Sequence, residues 1–516
     1  MDQFISKHDG SVTGVLSGWD RIVFRGTYRI LCVVSGMMKY LCHASVLLRD
    51  FGAHAEGMTS TLLNASLEAA RRYERPIRYL PSSATDKEQI ALEILRENPV
   101  ESGLVCVLKC VEPCLSFEIY RDREAKQIDL RAKHRKCLHL YHYFLDPYFG
   151  LMNARIQTWF PFCVQVCLNG RQWLARKMDK AGLAYDRHDN CFPWIEDFVK
   201  AQRQMDGLHK LNWPRFLDSI ARRLNPAANR MFACFPVSYY WSGYQTEWAT
   251  DVAFNSHRAL ASIYPQLISG AITSFSSSDI LRFLGRRYNG RFSGEVASDI
   301  KERPEGIRVK HQVNGNSLKM YDKGPNVLRI ETTINQPRDL KVYRTSENDP
   351  EGCKKWLPMR KGVADLYRRA QLSQKANERY LDALAHLDTT TRLEDLFAPV
   401  SRPCKRRGKR VRALRLWTLE DQALLEVINR PEFLLAGFRN RDIAQILYPG
   451  DQTTTAARNR AAARVSYRLR ILRAHGIIAK LSKTRRYRTT AKGRQITTAA
   501  ILSQKVTVQQ LANAAA

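Results

Sequence analysis

The segment RVKHQVNGNSLKMYDKGPNVLRIETTIN, residues 308–335, holds the densest set of side chains suited to handling a phosphate. NGN and DKGPN are turn sequences, so the segment predicts a three-stranded antiparallel meander. Alternation along the middle strand puts Lys319, Tyr321 and Lys323 on one face. In the last strand Arg329 and Glu331 share a face with Val327 and Thr333, opposite Leu328, Ile330 and Thr332. Lysine and arginine around a phenol would bind a phosphate and stabilise charge in transfer, and Tyr321 could attack phosphorus covalently. The same residues also suit a solvated, ion-paired sheet face with Glu331 neutralising its neighbours, or a noncatalytic nucleic-acid contact. All three readings stay open.

Other chemistry-bearing residues are more scattered. Asp20, between Trp19 and Arg21 and five residues before Arg25, breaks an apolar run. A buried Asp–Arg pair holding a turn accounts for it, and so does an acidic metal ligand in a nucleic-acid enzyme. Gln245, Glu247 and Asp251 sit among apolar side chains and could cap or orient a site, although their spacing specifies no reaction. In CLHLYHYFL, His139, Tyr141 and Tyr143 share one face while His142 turns away with Leu140, so a same-face histidine pair for a metal is not offered. Twelve cysteines include no CxxC pair. The run Cys106, Cys110, Cys114 reads as buried reduced thiols, with zinc the alternative; Pro113 should interrupt its strand. No metal ligand set follows, and magnesium or manganese is the cofactor expected if the chain cuts DNA.

KMYDK followed by LRIE resembles a segment of phage and plasmid replication initiation proteins, over fewer than 30 of the 516 residues. That resemblance implies strand nicking through Tyr321 with a divalent metal. The missing histidine pair departs from the pattern.

The elements that must position these residues belong to a long, basic chain. A length of 516 residues suggests several domains, and a net charge of +32 favours a polyanionic partner. Double-stranded DNA is the first expectation and RNA the second; a homodimer stays open. No stretch has the length and apolarity of a spanning helix, and MDQFISKHDGS has no apolar secretory core, so the expected location is the cytoplasm, on the nucleoid. The expected class is α+β multidomain: a mixed α/β body with antiparallel sheet segments and a C-terminal winged helix-turn-helix domain. Residues 1–100 read as a mixed N-terminal region, in which Gly18 and Gly26 mark turns or close backbone approaches and helices fall near 57–75 and 86–97. Residues 101–400 read as the main body: short strands over 102–170, a helix near 170–181 ended by Gly182, an aromatic-rich stretch over 187–250 that suits core packing or base stacking, and helices over 361–386. In the last of these, Arg368, Arg369, Lys375 and Arg379 could meet a phosphate backbone. Residues 401–414, with seven basic residues from Arg402 to Arg412 besides Pro403 and Gly408, read as a flexible linker, and 501–516 as a tail.

Residues 401–516 carry 25 basic and 6 acidic side chains, a net of +19. Within 415–500 the sequence predicts a helix capped by Thr418, a second ending before Pro449, a third of about 20 residues leaving at Gly476, two strands around a basic turn, and a last helix. This order resembles the winged helix-turn-helix domain of bacterial regulators. The resemblance implies duplex binding through the third helix, by Arg458, Arg460, Arg464 and Arg468, supported by Arg439 and Arg441 and by Lys483, Arg485 and Arg486 at the wing. The expected function is therefore a DNA-binding protein of DNA processing or mobile elements. The alternatives are a nonenzymatic transcriptional regulator and an RNA-binding assembly protein.

Overall fold

A computed structural model describes all residues except 125, 287–293, 304–305, 347, 387–392, 407, 429–432, 434–436, 453, 482–483 and 504–516. The principal strands are β1 (Val12–Thr27), β2 (Ile77–Leu80), β3 (Gly103–Asp122), β4 (Gln127–Asp146), β5 (Gly150–Gln157), β6 (Val164–Asn169), β7 (Tyr185–His188), β8 (Cys191–Ile195), β9 (Tyr240–Phe254), β10 (Val296–Arg303), β11 (Gly306–Val313), β12 (Asn316–Lys323) and β13 (Val327–Ile334). The chain is mixed α/β and divides into two compact units, one of Gly10–His257 with Gly315–Asn377, the other of Met1–Asp9, Arg258–Asn314 and Glu378–Ala516.

In the first of these units the strand order is β12-β13-β9-β1-β6-β5-β4-β3-β2. Every neighbouring pair is antiparallel except β2 and β3. β1 therefore lies mid-sheet, which suits its apolar run of Trp19, Ile22 and Phe24, all buried in the main core. The core continues through Ala154 and Ile156 of β5, Val164, Val166 and Leu168 of β6, and the helices Gly170–Lys180 and Trp213–Leu224. Gly18 and Gly26 are close approaches within one unbroken strand: a Cβ on Gly18 would lie 2.3 Å from Met205, and one on Gly26 2.6 Å from Trp241. The short runs expected over 102–146 merge into two long strands, β3 and β4. Pro113 does not stop β3. By that point β2, which pairs only with residues 107–110, has ended, so the missing N–H leaves no ladder bond unmade on that side.

The other unit pairs β10 with β11 and holds its own apolar core at the C-terminal end. That core gathers the helices Leu419–Ile428, Asn440–Leu447, Thr455–Ala474 and Ala491–Ser503 with the antiparallel strands Ile478–Lys480 and Tyr487–Thr489. Val465, Leu469, Ile471 and Leu472 are buried on the long helix, and Gly476 leaves it at φ 72°. Thr418 does precede the first of these helices, but its hydroxyl donates to the Arg415 carbonyl, 2.9 Å away. The basic stretch 401–414, expected as a flexible linker, is built into this core. Cys404–Arg406 pairs with Lys409–Val411, Val411 and Leu414 are buried, and Arg412 forks onto Asp421 through two 2.8 Å bonds. Its two apolar anchors were hidden among the lysines and arginines. Among the described residues no helix is long and apolar enough to cross a membrane.

Candidate active site

Four of the five residues expected in the 308–335 segment, Lys319, Tyr321, Arg329 and Glu331, converge, and Lys323 does not join them. β12 and β13 pair with Lys319 opposite Glu331 and Tyr321 opposite Arg329, the face expected from alternation. β13 then pairs with β9, setting Arg329 opposite Asp251 and Glu331 opposite Ala249, one pleat from Glu247. The third contributor is β1. Between the pairs Trp19–Trp248 and Ile22–Thr246, β1 has two residues, Asp20 and Arg21, where β9 has only Glu247. This bulge brings Asp20 to the same place. The carboxylates of Asp20, Glu247 and Glu331, from three adjacent strands, each offer an oxygen within 4.8 Å of the others.

Fixed cations hold this group from one side. Arg329, wholly buried, donates to Asp251 through Nε (2.6 Å) and Nη2 (2.8 Å), to Asp20 through Nη1 (3.1 Å), and to the Asn190 carbonyl (2.7 Å). Asn190 Nδ2 in turn donates to both Asp20 oxygens at 2.9 Å. Arg171, also wholly buried, reaches Asp251 at 3.0 Å. Its place is set by Asn169, whose side chain caps the helix Gly170–Lys180, and by Gly170, where a Cβ would lie 2.1 Å from the Trp19 carbonyl oxygen. Lys319 meets Glu331 at 2.5 Å and Glu247 at 3.9 Å. Tyr321 Oη donates to the other Glu331 oxygen at 2.7 Å. Lys323 is turned to Asp189, 2.6 Å away, at the β7–β8 turn.

Four carboxylates, Asp20, Glu247, Asp251 and Glu331, meet the ion-paired cations Arg171, Arg329 and Lys319, and the exposed Arg21 guanidinium also acts on Glu247. The effects fall unevenly. Burial opposes ionisation of Asp251 and Glu331, but Arg171 with Arg329 for the one, and Lys319 with the Tyr321 hydroxyl for the other, outweigh it and hold both carboxyls below their usual range. Burial pushes Asp20 above its usual range despite Arg329; burial and then the Glu331 charge do the same for Glu247. Burial and the Glu331 charge also keep the Tyr321 phenol well above its ordinary value. A divalent cation between Asp20, Glu247 and Glu331 would relieve the repulsion among these carboxylates and ease ionisation of the phenol.

No protein family, curated protein or solved structure matches the chain. The site's chemistry therefore rests on its own geometry.

The histidines are not part of it. His142 is buried with its Nε2 2.8 Å from Ser66 Oγ, and burial pushes it down to about 3; His139 is buried on the opposite face of β4. Cys106 and Cys110 are buried in a separate apolar cluster, away from any carboxylate group able to hold a metal among the described residues. Of the aromatic stretch, Phe192, Trp213, Phe232, Trp241 and Trp248 fill the core, whereas Trp194, Tyr240 and Tyr244 are exposed. Arg369 is wholly buried and donates to the Gly243 carbonyl, Arg368 pairs with Asp365, and Arg379 donates to the Phe283 carbonyl; only Lys375 of that basic set is exposed. Sequence reasoning had no signal for Arg171 and Asn190, which join the site only through tertiary contact.

On the C-terminal long helix, Arg458, Arg460 and Arg464 are exposed. Arg468, expected beside them, is 15% exposed and pairs with Glu420 at 3.3 Å. Arg441 is exposed, while Arg439 is half-buried where its helix begins. Arg485 is exposed, Arg486 donates to the Gly437 carbonyl, and Lys483 lies outside the described residues.

Proposed function

We propose that this chain is a DNA-processing protein that breaks a phosphodiester through Tyr321 with a divalent metal, and that its C-terminal region is a winged helix engaging duplex DNA. The observation that carries the reading is the 2.7 Å hydrogen bond from the Tyr321 hydroxyl to Glu331, beside the three converging carboxylates of Asp20, Glu247 and Glu331. Asp20, Glu247 and Glu331 would hold magnesium or manganese, which would position a phosphate oxygen and lower the phenol's ionisation cost. Glu331 would accept the phenol proton as Oη bonds to phosphorus. The bond from phosphorus to the departing sugar oxygen then breaks, and that oxygen takes up a proton from solvent, leaving a phosphotyrosyl link. Lys319 would offset charge on the transferring group.

Arg458, Arg460 and Arg464, each exposed on a 20-residue helix, with Arg485 on the adjoining hairpin, support duplex binding. The complete pairing of Arg329 with Asp20 and Asp251 favours a second reading, a structural ion network inside a nonenzymatic regulator. Incubating labelled single-stranded and supercoiled DNA with magnesium or manganese decides between them. The nuclease reading expects nicking by the wild type and its loss in Tyr321→Phe; absence of nicking on every DNA form, or equal nicking by both proteins, overturns it.

A further inference from the structure

Beyond the carboxylates, the same face of the sheet carries basic and aromatic side chains across four more strands, with Lys87 seated over the Tyr141 ring at the far end. Tyr141 of β4 pairs with Arg155 of β5, Arg155 with Gln165 of β6, and Gln165 with Arg25 of β1, so these side chains form one row running toward β9. All four are partly exposed. At the β9 end Tyr244 is 45% exposed and lies under the Arg25 guanidinium, 5.8 Å from ring centroid to Cζ. Arg21, in the bulge that delivers Asp20, is exposed on the same strand.

The charge along this row is not cancelled from within. Glu112, beside Tyr141, is already matched by Arg155 at 2.7 Å and Lys87 at 3.3 Å. Arg25 has only the Cys163 sulfur, 3.7 Å away, as a side-chain hydrogen-bond partner among those described. Arg21 and Arg25 thus present two guanidinium groups beside an exposed ring. This combination of cations that meet phosphates and a ring that stacks a base suits a single strand of nucleic acid. A duplex fits poorly, because a flat sheet face stacks bases only when they are unpaired.

We infer that the row Tyr141, Arg155, Gln165 and Arg25, which meets β9 at Ser242 beside Tyr244, is a track for single-stranded DNA on the sheet face that carries Tyr321. From β9 to β4 it spans four strand spacings, about 19 Å at roughly 4.8 Å each. Arg25 and Arg155 meet backbone phosphates and Tyr244 stacks the base nearest the carboxylates. The identity of the strand as the substrate rests on the proposed cleavage at Tyr321; the track itself does not.

The test uses the full chain carrying Tyr321→Phe, without metal, so that the oligonucleotide stays intact whether or not the protein is a nuclease. Single-stranded DNA bearing 5-iodouracil is photocrosslinked and the modified peptides are mapped. The expected crosslink is on Tyr244 or its immediate neighbours, with yield at that peptide falling about tenfold in Arg25→Gln/Arg155→Gln and recovering to within about threefold in Arg25→Lys/Arg155→Lys. The lysine variant guards against a loss that merely reports misfolding. Crosslinks confined to other regions, or an undiminished yield in the glutamine variant, overturn the track. A stronger crosslink to the matching RNA overturns the assignment to DNA. A crosslinked track in a wild-type protein that nicks no DNA would sink the cleavage reading alone.

Discussion

Glu247→Gln is the most informative single substitution, because the site predicts opposite effects on fold and on metal binding. Glu247 faces Asp20 and Glu331 with oxygens within 4.8 Å, and Lys319 stands 3.9 Å away. At an effective dielectric of about 20, each like-charge pair at the 4.8 Å limit costs about 3.5 kcal/mol, and the Lys319 attraction returns about 4 kcal/mol. The balance is unfavourable by about 3 kcal/mol. Glu247 keeps 14% of its side-chain exposure, so solvent screening brings the expected gain on neutralising it to about 1–2 kcal/mol. The glutamine carbonyl can still accept the 2.9 Å bond that Gln245 gives to Glu247. Metal-free Glu247→Gln should therefore melt several degrees above the wild type, at ~2–4 °C per kcal/mol. Adding manganese should raise the wild-type Tm, by about 2.7 kcal/mol of stability at a hundredfold excess over Kd, and should barely move the variant. Differential scanning calorimetry with and without manganese reads both. A metal-free variant less stable than the wild type by more than about 1 kcal/mol would refute the electrostatic reasoning; an undiminished manganese shift would remove Glu247 from the ligand set.

Four further outcomes follow. Arg329→Met leaves buried Asp20 without its cation and Asp251 with Arg171 alone and should cost about 3–5 kcal/mol in urea denaturation, whereas Lys323→Met, whose partner Asp189 is 68% exposed, should cost far less. The Asp251 and Glu331 carboxyls are held low, so their stabilisation is present above their unfolded values near pH 4 and is lost as pH falls through their folded ones. Asp20 and Glu247 are held high, so as pH falls they protonate before ordinary carboxyls do and repulsion is relieved; the manganese-induced Tm shift should shrink with falling pH before the low-held carboxyls titrate, while metal-free stability does not fall. Replacing Arg458, Arg460 and Arg464 with alanine should weaken duplex binding more than tenfold and flatten its salt dependence in fluorescence anisotropy, and unchanged binding would reject the exposed helix face as the duplex contact.

Much of the site was legible, but only within strands. Alternation placed Lys319, Tyr321, Arg329 and Glu331 together because the turn sequences fix the β12–β13 register. Asp20, Glu247 and Asp251 stood out as charges in apolar runs, which is what buried function looks like in one dimension. Their union with Glu331 depends on β13-β9-β1 adjacency, joining residues 311 positions apart, and no local pattern encodes it. The bulge at Asp20 and Arg21 was equally hidden, since it exists only relative to β9. The stretch 401–414 misled because composition registers its lysines and arginines but not that Val411 and Leu414 point inward or that Arg412 has a buried partner in Asp421.

In the proposed reaction Tyr321 becomes covalently joined to DNA when a metal fills the Asp20, Glu247 and Glu331 cluster. The direct measurement is mass spectrometry of tryptic peptides after incubation of the full chain with single-stranded DNA and manganese. A nucleotide adduct is expected on the peptide containing Tyr321, absent with chelator and absent in Tyr321→Phe. Metal-dependent cleavage with no adduct there, persisting in Tyr321→Phe, would contradict this reaction.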